Sequence, residues 1–125
     1  MLSSKEKQLS KLIKEELIEK INSFRNARNW KQFHNPKDIS LSLISEACEV
    51  MEHFQWLNEK EMKKYINKNK THIGYELADV LYCVLVLCSD LDIDIIKSFK
   101  DKMKENNKKY PVKKCKNKNT KYTKL

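Results

Sequence analysis

Glycine and proline are almost absent from this chain, which contains one Gly and two Pro among its 125 residues. The tight turns of β-sandwiches, β-barrels and glycine-rich phosphate-binding loops depend on these two residue types. Lys, Glu, Leu and Ile are abundant instead, and all four are tolerated in helices. The composition therefore predicts an all-α fold. The length, with 40% apolar residues, predicts one domain with a modest core.

Neither a membrane-spanning segment nor a secretion signal is expected. The longest strongly apolar stretch, Val80 to Cys88, has nine residues, whereas a helix needs about 20 to cross a bilayer. The residues after Met1 are mostly polar and charged, which does not match a signal core. We therefore expect a cytoplasmic protein, with the nucleus as the alternative, and no membrane partner. The cysteines, Cys48, Cys83, Cys88 and Cys115, form no CxxC pair. Three of the four lie in apolar helical patterns, which favours reduced, packed thiols over disulfides or a zinc site.

The net charge of +9 is concentrated at the C-terminal end. Residues 108–125 contain eight Lys and no acidic residue, whereas residues 1–107 carry 18 basic and 17 acidic side chains. We therefore expect a helical domain over residues 1–111 and a basic, flexible tail over residues 112–125. A solubilising role is favoured for the tail, because it offers little aromatic interleaving beyond Tyr110 and Tyr122. Nucleic acid is the alternative partner, not the expected one.

Apolar residues at helical spacing predict a bundle of four to five helices. The segment Val80 to Leu87 is apolar almost all round, so it is expected at the centre of the bundle. In the last helix, Ile96, Phe99 and Met103 are expected to pack. The helices are expected over about 3–30, 38–56, 59–66, 71–91 and 95–110. Ser3 is expected to cap the first helix in a capping box with Glu6. The other expected capping residues are Asp38, Thr71 and either Asp92 or Asp94.

Two pairs of carboxylates lie beside the apolar faces of the second and third major helices. Glu46 and Glu49 are three residues apart, as are Glu76 and Asp79, so each pair projects from one helical face. If these helices pack antiparallel, the four carboxylates meet, and cations must offset their repulsion. Oxygen ligands without Cys or His favour Mg²⁺, with Mn²⁺ as a substitute. A single pair is more often a solvated helix face, and it is the doubling that favours a metal site.

Several short motifs follow one another along the chain. They are Phe24-Arg25, Trp30-x-Gln32-Phe33-His34, Glu46-x-x-Glu49, Phe54-Gln55-Trp56, Glu76-Leu77-x-Asp79-Val80-Leu81, Lys102-Met103-x-x-Asn106, Tyr110-Pro111 and Lys121-Tyr122-Thr123-Lys124-Leu125. This ordered set resembles the dCTP pyrophosphatases, which belong to the all-α MazG-type nucleoside triphosphate pyrophosphohydrolases. The resemblance runs from about Glu16 to the C-terminus. The set is specific, although each motif alone is not.

The resemblance implies Mg²⁺-dependent hydrolysis of dCTP, and of modified dCTPs, to dCMP and pyrophosphate, as a step of nucleotide-pool cleaning. It also implies a homotetramer, assembled as a dimer of dimers, whose sites are lined by helices of neighbouring protomers. The implied metal ligands are Glu46, Glu49, Glu76 and Asp79, with Glu49 and Glu46 as the catalytic carboxylates. The implied triphosphate contacts are Lys102, Asn106, Lys109 and Tyr110, and the implied base-binding residues are Trp30, Trp56, His34 and Cys83.

Two positions depart from the family pattern at the base end of the implied pocket. Cys83 stands where the family has a tyrosine, with Tyr82 one place earlier, and Ile21 stands where relatives have a histidine. A pyrophosphohydrolase with a different or broader dNTP range is therefore one alternative. Two others come from different classes: a nucleic-acid-binding module acting through the basic tail, and a helical scaffold without ligands.

Overall fold

The computed structural model describes all 125 residues, and every regular element in it is helical. This confirms the all-α prediction. The α-helices are α1 (Ser4–Leu12), α2 (Glu19–Ala27), α3 (Pro36–Glu52), α4 (Glu59–Asp90), α5 (Ile95–Lys109) and the one-turn α6 (Val112–Cys115). A π-helical turn (Ile13–Ile18) joins α1 to α2, and short 3₁₀ turns lie at Lys31–Phe33 and Tyr122–Lys124.

Helices α1 and α2 form one continuous rod through the π-helical turn, because the linking residues keep helical dihedral angles. Its start is the predicted capping box. The Glu6 N–H donates to Ser3 Oγ at 3.2 Å, and the Ser3 N–H donates to Glu6 Oε2 at 2.7 Å. The rod ends at Ala27, before Trp30, where Asn29 takes a left-handed conformation with φ of 53°. Asn tolerates that conformation, so the chain can turn there without glycine.

The N-cap of α3 is Asn35, so the prediction of Asp38 in that role is wrong. Pro36 restricts the residue before it to extended geometry, and Asn35 has φ of −130° and ψ of 163°. Its Oδ1 accepts the Asp38 N–H at 2.9 Å. Proline fits the first helical position, because that N–H has no intrahelical acceptor. The local restriction by proline therefore moves the cap three residues back.

Helix α4 consists of two helical segments joined across a kink at Asn69, two residues before the predicted cap Thr71. Thr71 itself lies within the second segment and is not a cap. Asn58 caps the helix instead, with Oδ1 accepting the Glu61 N–H at 2.9 Å. One residue is distorted, Asn69 with φ of −117° and ψ of 17°, and its side-chain N–H donates to the Tyr65 carbonyl at 3.0 Å. The predicted short helix and third helix are therefore both present, and they join at the kink instead of being separated by a loop, since no glycine or proline lies between them.

The core lies where α3 packs on the second half of α4. Its centre consists of Ile39, Cys83 and Val86, with Ile21, Leu43, Tyr82 and Leu87 packed around it. Four of the six buried residues, namely Cys83, Leu85, Val86 and Cys88, come from α4. The prediction that the segment around 80–87 is the most buried part of the fold is therefore confirmed.

Helix α5 is capped by Asp94, one of the two predicted candidates, whose carboxylate accepts the N–H groups of Ile96 and Lys97. It packs against α1, where Lys100 Nζ donates to Glu6 Oε2 at 2.9 Å. Phe99 remains 66% exposed and Met103 43% exposed, which contradicts the expectation that both pack. The reason is that, within one chain, α1 alone covers only one side of α5.

The C-terminal residues form the short helix α6 and the last 3₁₀ turn, and the Tyr122 ring meets the Tyr110 ring edge-on at 5.8 Å. The boundary at residue 111 and the flexibility of the tail remain predictions. All four cysteines are free thiols. Cys83 and Cys88 are buried, whereas Cys48 is exposed.

By length and composition alone, α4 is long and apolar enough to cross a membrane. This differs from the sequence expectation, which counted only uninterrupted apolar residues and so stopped at Asp79. The mean hydropathy of an 18-residue window stays high even when the window includes the two charged residues Glu76 and Asp79. One such helix is weak evidence of a span, since the core helix of a bundle passes the same test.

Candidate functional site

Four carboxylates meet between α3 and α4. Glu46 and Glu49 come from α3, and Glu76 and Asp79 from α4; one oxygen of each lies within 4.8 Å of the others. The three-residue spacing sets each pair on one helical face, and the packing of the two helices turns those faces toward each other. The structure therefore brings together the four residues proposed from the sequence as metal ligands.

The charges of this cluster are poorly compensated by protein groups. Burial, followed by the neighbouring carboxylates with Glu49 first, raises the pKa of Glu46 above its usual value. A side-chain hydrogen bond with Glu49, then burial and further carboxylates, raises the pKa of Glu76. Glu46 Oε2 is buried and has no hydrogen-bond partner. Buried polar atoms are nearly always paired, so this oxygen indicates an absent ligand.

A divalent cation fits this donor set. The four ligand groups are all carboxylates, which suit hard cations, and neither Cys nor His joins them. A cation would supply both the missing partner of Glu46 Oε2 and the positive charge that the cluster lacks. Glu49 and Asp79 are exposed, so the cluster is open to a ligand from solvent.

A cavity of about 690 Å³ adjoins the carboxylates, since Glu46 and Asp79 form part of its lining. Aromatic rings make up much of the rest. Phe24 meets Trp30 edge-on with ring centroids 5.5 Å apart, and Tyr82 edge-on at 6.4 Å. Apolar and aromatic walls beside a few polar groups are typical of small-molecule sites. The cavity can therefore take an aromatic ligand next to the acidic cluster.

Three of the four residues proposed for base binding line this cavity, namely Trp30, His34 and Cys83. Burial raises the pKa of the Cys83 thiol, so this group enters the lining as an uncharged, apolar atom. Trp56 does not line the cavity and is 85% exposed in the single chain. Its role in base binding stays a prediction.

The residues proposed as triphosphate contacts do not line the cavity within one chain. Lys102 pairs with Glu105 at 2.9 Å, and Lys109 Nζ lies 5.1 Å from the centre of the Tyr122 ring. Asn106 and Tyr110 belong to the same end of α5, which packs on α1. Their contact with a triphosphate therefore stays a prediction that needs a neighbouring protomer.

Ile21, which the resemblance places at the base end of the pocket, also lines the cavity. Several other lining residues were not proposed as binding residues from the sequence: Phe24, Phe33, Asp38 and Tyr82. A signal was present for Tyr82, because it stands beside the position where the family tyrosine is replaced by Cys83. The structure shows that its ring does reach the cavity. Phe24 and Phe33 flank Trp30 in the sequence, but only the turn after α2 folds the three back onto one cavity.

A buried arginine behind the cavity was also missed. Arg25 is 1% exposed, and its guanidinium pairs with both Asp90 oxygens at 3.0 and 2.8 Å. Its Nε–H donates to His34 Nδ1 at 3.1 Å. Hydrogen bonds from Arg25 lower the pKa of Asp90. No local pattern could reveal this pair, since 65 residues separate the partners.

Comparisons with known proteins identify the family of this chain. A sequence model described as the MazG-like family matches residues 41–125. The dCTP pyrophosphatase 1 of Rattus norvegicus is 33% identical over 104 residues, and that of Homo sapiens is 31% identical over 104 residues. Each alignment covers 82% of this chain and 61% of the relative, so the chain spans less than two thirds of the length of these curated relatives.

A solved structure matches as well. The crystal structure of a pyrophosphatase from Archaeoglobus fulgidus DSM 4304 is similar with a TM-score of 0.75 and 37% sequence identity, covering 78% of this chain and 91% of that one. The family model covers more than half of this chain, and the relatives and the solved structure agree with it. The resemblance expected from the ordered motifs is confirmed: the chain belongs to the MazG-like family.

Proposed function

We propose that this chain is a divalent-cation-dependent nucleoside triphosphate pyrophosphohydrolase that converts dCTP, and modified dCTPs, to dCMP and pyrophosphate. The observation that carries the proposal is the four-carboxylate cluster, with oxygens within 4.8 Å, at the edge of an aromatic cavity. The names of the relatives, dCTP pyrophosphatase 1 and a pyrophosphatase, support the same reaction. The role is removal of modified or excess dCTP from the nucleotide pool.

Different residues of the chain are proposed to bind the base and the metal-bound phosphates. The rings of Phe24, Trp30 and Tyr82 offer faces and edges against which a base packs. Glu46 and Asp79, in the same lining, would hold Mg²⁺ together with Glu49 and Glu76. When bound, the cation supplies Lewis acidity and neutralises phosphate charge. Without it, four carboxylates would repel a triphosphate.

Glu49 is the proposed proton acceptor. It is exposed, one of its oxygens lies within 4.8 Å of an oxygen of each other carboxylate, and its proximity raises the pKa of both Glu46 and Glu76. Water attacks the α-phosphorus, its proton passes to a Glu49 oxygen, and the bond to the bridging oxygen breaks to release pyrophosphate. Glu46, which is less exposed than Glu49, would help to keep Glu49 and the other ligand carboxylates in position.

The assembly is proposed to be a homotetramer in the cytoplasm. Leu41, Ile44, Leu77 and Leu81 on α3 and α4 are about half exposed in the single chain, which is typical of surfaces that other protomers cover. Six buried residues also make a thin core for 125 residues. In this assembly Lys102, Asn106, Lys109 and Tyr110 of one protomer are proposed to reach the triphosphate bound by its neighbour.

The proposal is tested by pyrophosphate release from a panel of dNTPs, NTPs and 5-modified dCTPs, with Mg²⁺, Mn²⁺ or EDTA. We expect release with Mg²⁺ that favours dCTP and stops in EDTA. Glu46→Gln and Asp79→Asn should stop turnover in folded protein, whereas Glu52→Gln, on the same helix but outside the cluster, should not. Full turnover by a folded Glu46→Gln variant would overturn the assignment. Preference for another nucleotide would keep the reaction and implicate Cys83 and Ile21 in the changed substrate range.

The alternative of a nucleic-acid-binding module makes a different prediction. The lysine-rich tail would then bind phosphates in a strongly salt-dependent way, and deletion of residues 113–125 would abolish that binding. Under the enzyme proposal the same deletion leaves most of the turnover intact. Absence of turnover together with tail-dependent binding of oligonucleotides would decide for the alternative.

A further inference from the structure

The buried Arg25 uses its donors on a fixed set of acceptors. One terminal nitrogen donates to Asp90 Oδ1 at 3.0 Å and Asn22 Oδ1 at 3.1 Å, and the other donates to Asp90 Oδ2 at 2.8 Å. Asn22 in turn donates to Ser89 Oγ at 3.0 Å. Arg25 is the one charged residue among the six that are buried. Burial of a charge needs such hydrogen bonds, and the three from the terminal nitrogens fix the direction of the donor on the remaining nitrogen, Nε–H.

That remaining donor determines which nitrogen of His34 carries a proton. Arginine only donates hydrogen bonds, so His34 Nδ1, which receives Nε–H at 3.1 Å, must be unprotonated. The proton of the neutral imidazole is then on Nε2. His34 lines the aromatic cavity, and Nε2 has no hydrogen-bond partner within the chain. One edge of the imidazole is therefore anchored, and the other is an unpaired N–H donor.

We propose that Arg25 and Asp90 are a positioning pair that holds His34 as an Nε2–H donor, and that this donor recognises N3 of a cytosine base. The inference rests on the proposed function and deepens it. The Phe24 and Trp30 rings pack against any base, so stacking alone does not choose among bases. N3 of cytosine is an acceptor, whereas N3 of thymine and uracil carries a proton. A fixed N–H donor therefore favours cytosine, whose N3 can accept its hydrogen bond, over thymine and uracil, whose N3–H would face it as a second donor.

The first test reads the tautomer directly. Long-range ¹H–¹⁵N correlations of the imidazole distinguish the Nε2–H from the Nδ1–H form near neutral pH, with no need for turnover. We expect His34 in the unsubstituted protein to be the Nε2–H form, and Arg25→Lys, which lacks the planar fork, to give a mixture. A predominant Nδ1–H form in the unsubstituted protein would overturn the proposal, even if Arg25→Lys does not fold.

The second test couples the side chain to one ligand atom. Binding of the non-hydrolysable α,β-imido analogue of dCTP is compared with that of its 3-deaza form, in which a C–H replaces N3. The 3-deaza change should weaken binding to the unsubstituted protein about fivefold to tenfold, the usual worth of one hydrogen bond. It should have almost no effect in His34→Phe and a clear effect in His34→Gln, which retains an N–H donor.

The two tests separate this inference from the proposed function. Binding and tautomer are measured without catalysis, so a failure to hydrolyse dCTP changes neither result. A merely structural role for His34 would weaken binding of both analogues equally in His34→Phe, leaving the 3-deaza penalty unchanged. That additive outcome would overturn the recognition of N3.

Discussion

Replacing Glu46 by Gln is expected to stabilise the cation-free protein. Glu46 Oε2 is buried without a partner, and one oxygen of each of three other carboxylates lies within 4.8 Å of a Glu46 oxygen. An unsatisfied buried polar atom costs about 1–3 kcal/mol, and the lower end applies because this side chain is only partly buried. A neutral Gln removes the repulsion and can donate to Glu49. We expect a gain of about 1 kcal/mol, or roughly 3–6 °C in Tm for a chain of this size.

The pH dependence follows from the sign of the shift. The pKa of Glu46 is raised in the folded state, so between the usual value of 4.5 and the raised value the folded state binds more protons than the unfolded one. Without a cation, the free energy of unfolding should therefore rise as the pH falls from 7 toward 4.5. In Glu46→Gln this rise should be smaller, because one of the two carboxyls with raised pKa is gone.

A divalent cation should reverse the order of the two proteins. A ligand present at about 100 times its Kd stabilises the folded state by about 2.7 kcal/mol, and the four-carboxylate cluster should gain this from Mg²⁺. Glu46→Gln loses one ligand and should gain much less.

The assay is thermal denaturation in EDTA and in excess Mg²⁺ at equal protein concentration, with Glu52→Gln as the control. The reasoning is refuted if Glu46→Gln melts lower than the unsubstituted protein in EDTA and still gains fully from Mg²⁺.

Three other substitutions should change the stability of the folded protein, each for a reason that the structure identifies, and a fourth serves as a control. Asp90→Asn leaves the buried charge of Arg25 without its counter-ion and should cost about 2–3 kcal/mol by denaturant unfolding, less than for a fully buried pair because the Asp90 side chain is 30% exposed. Asp101→Asn, at a solvent-exposed pair, is the control and should leave the unfolding midpoint almost unchanged. Asn35→Ala removes the N-cap of α3 and should cost about 1 kcal/mol by the same measurement. Gly74→Ala should stabilise by roughly 0.5–1 kcal/mol, seen as a higher Tm, because Gly74 is helical and an added Cβ meets nothing within 4 Å; a lower Tm would contradict this.

Local patterns predicted the helices well and their boundaries less well. Periodicity and composition indicate helix, and the Ser3 capping box is visible because its partners are three residues apart. The cap of α3 was predicted at Asp38 because several capping residues adjoin Pro36, and the restriction that proline places on Asn35 decides among them. Near Thr71 the predicted boundary corresponds to the kink at Asn69, where one residue leaves helical geometry before the chain continues as a helix.

The sequence alone determined that this protein is helical and that its carboxylates stand in two pairs, since both properties depend on neighbours within one turn of helix. The packing of α3 on α4 decided that the pairs meet within 4.8 Å and leave Glu46 Oε2 without a partner. It also decided that Tyr82 lines the cavity while Trp56 does not. The contact between Arg25 and Asp90 joins residues 65 positions apart. Such contacts depend on the relative placement of whole helices, which no local spacing encodes, and they set the chemistry of the cavity wall.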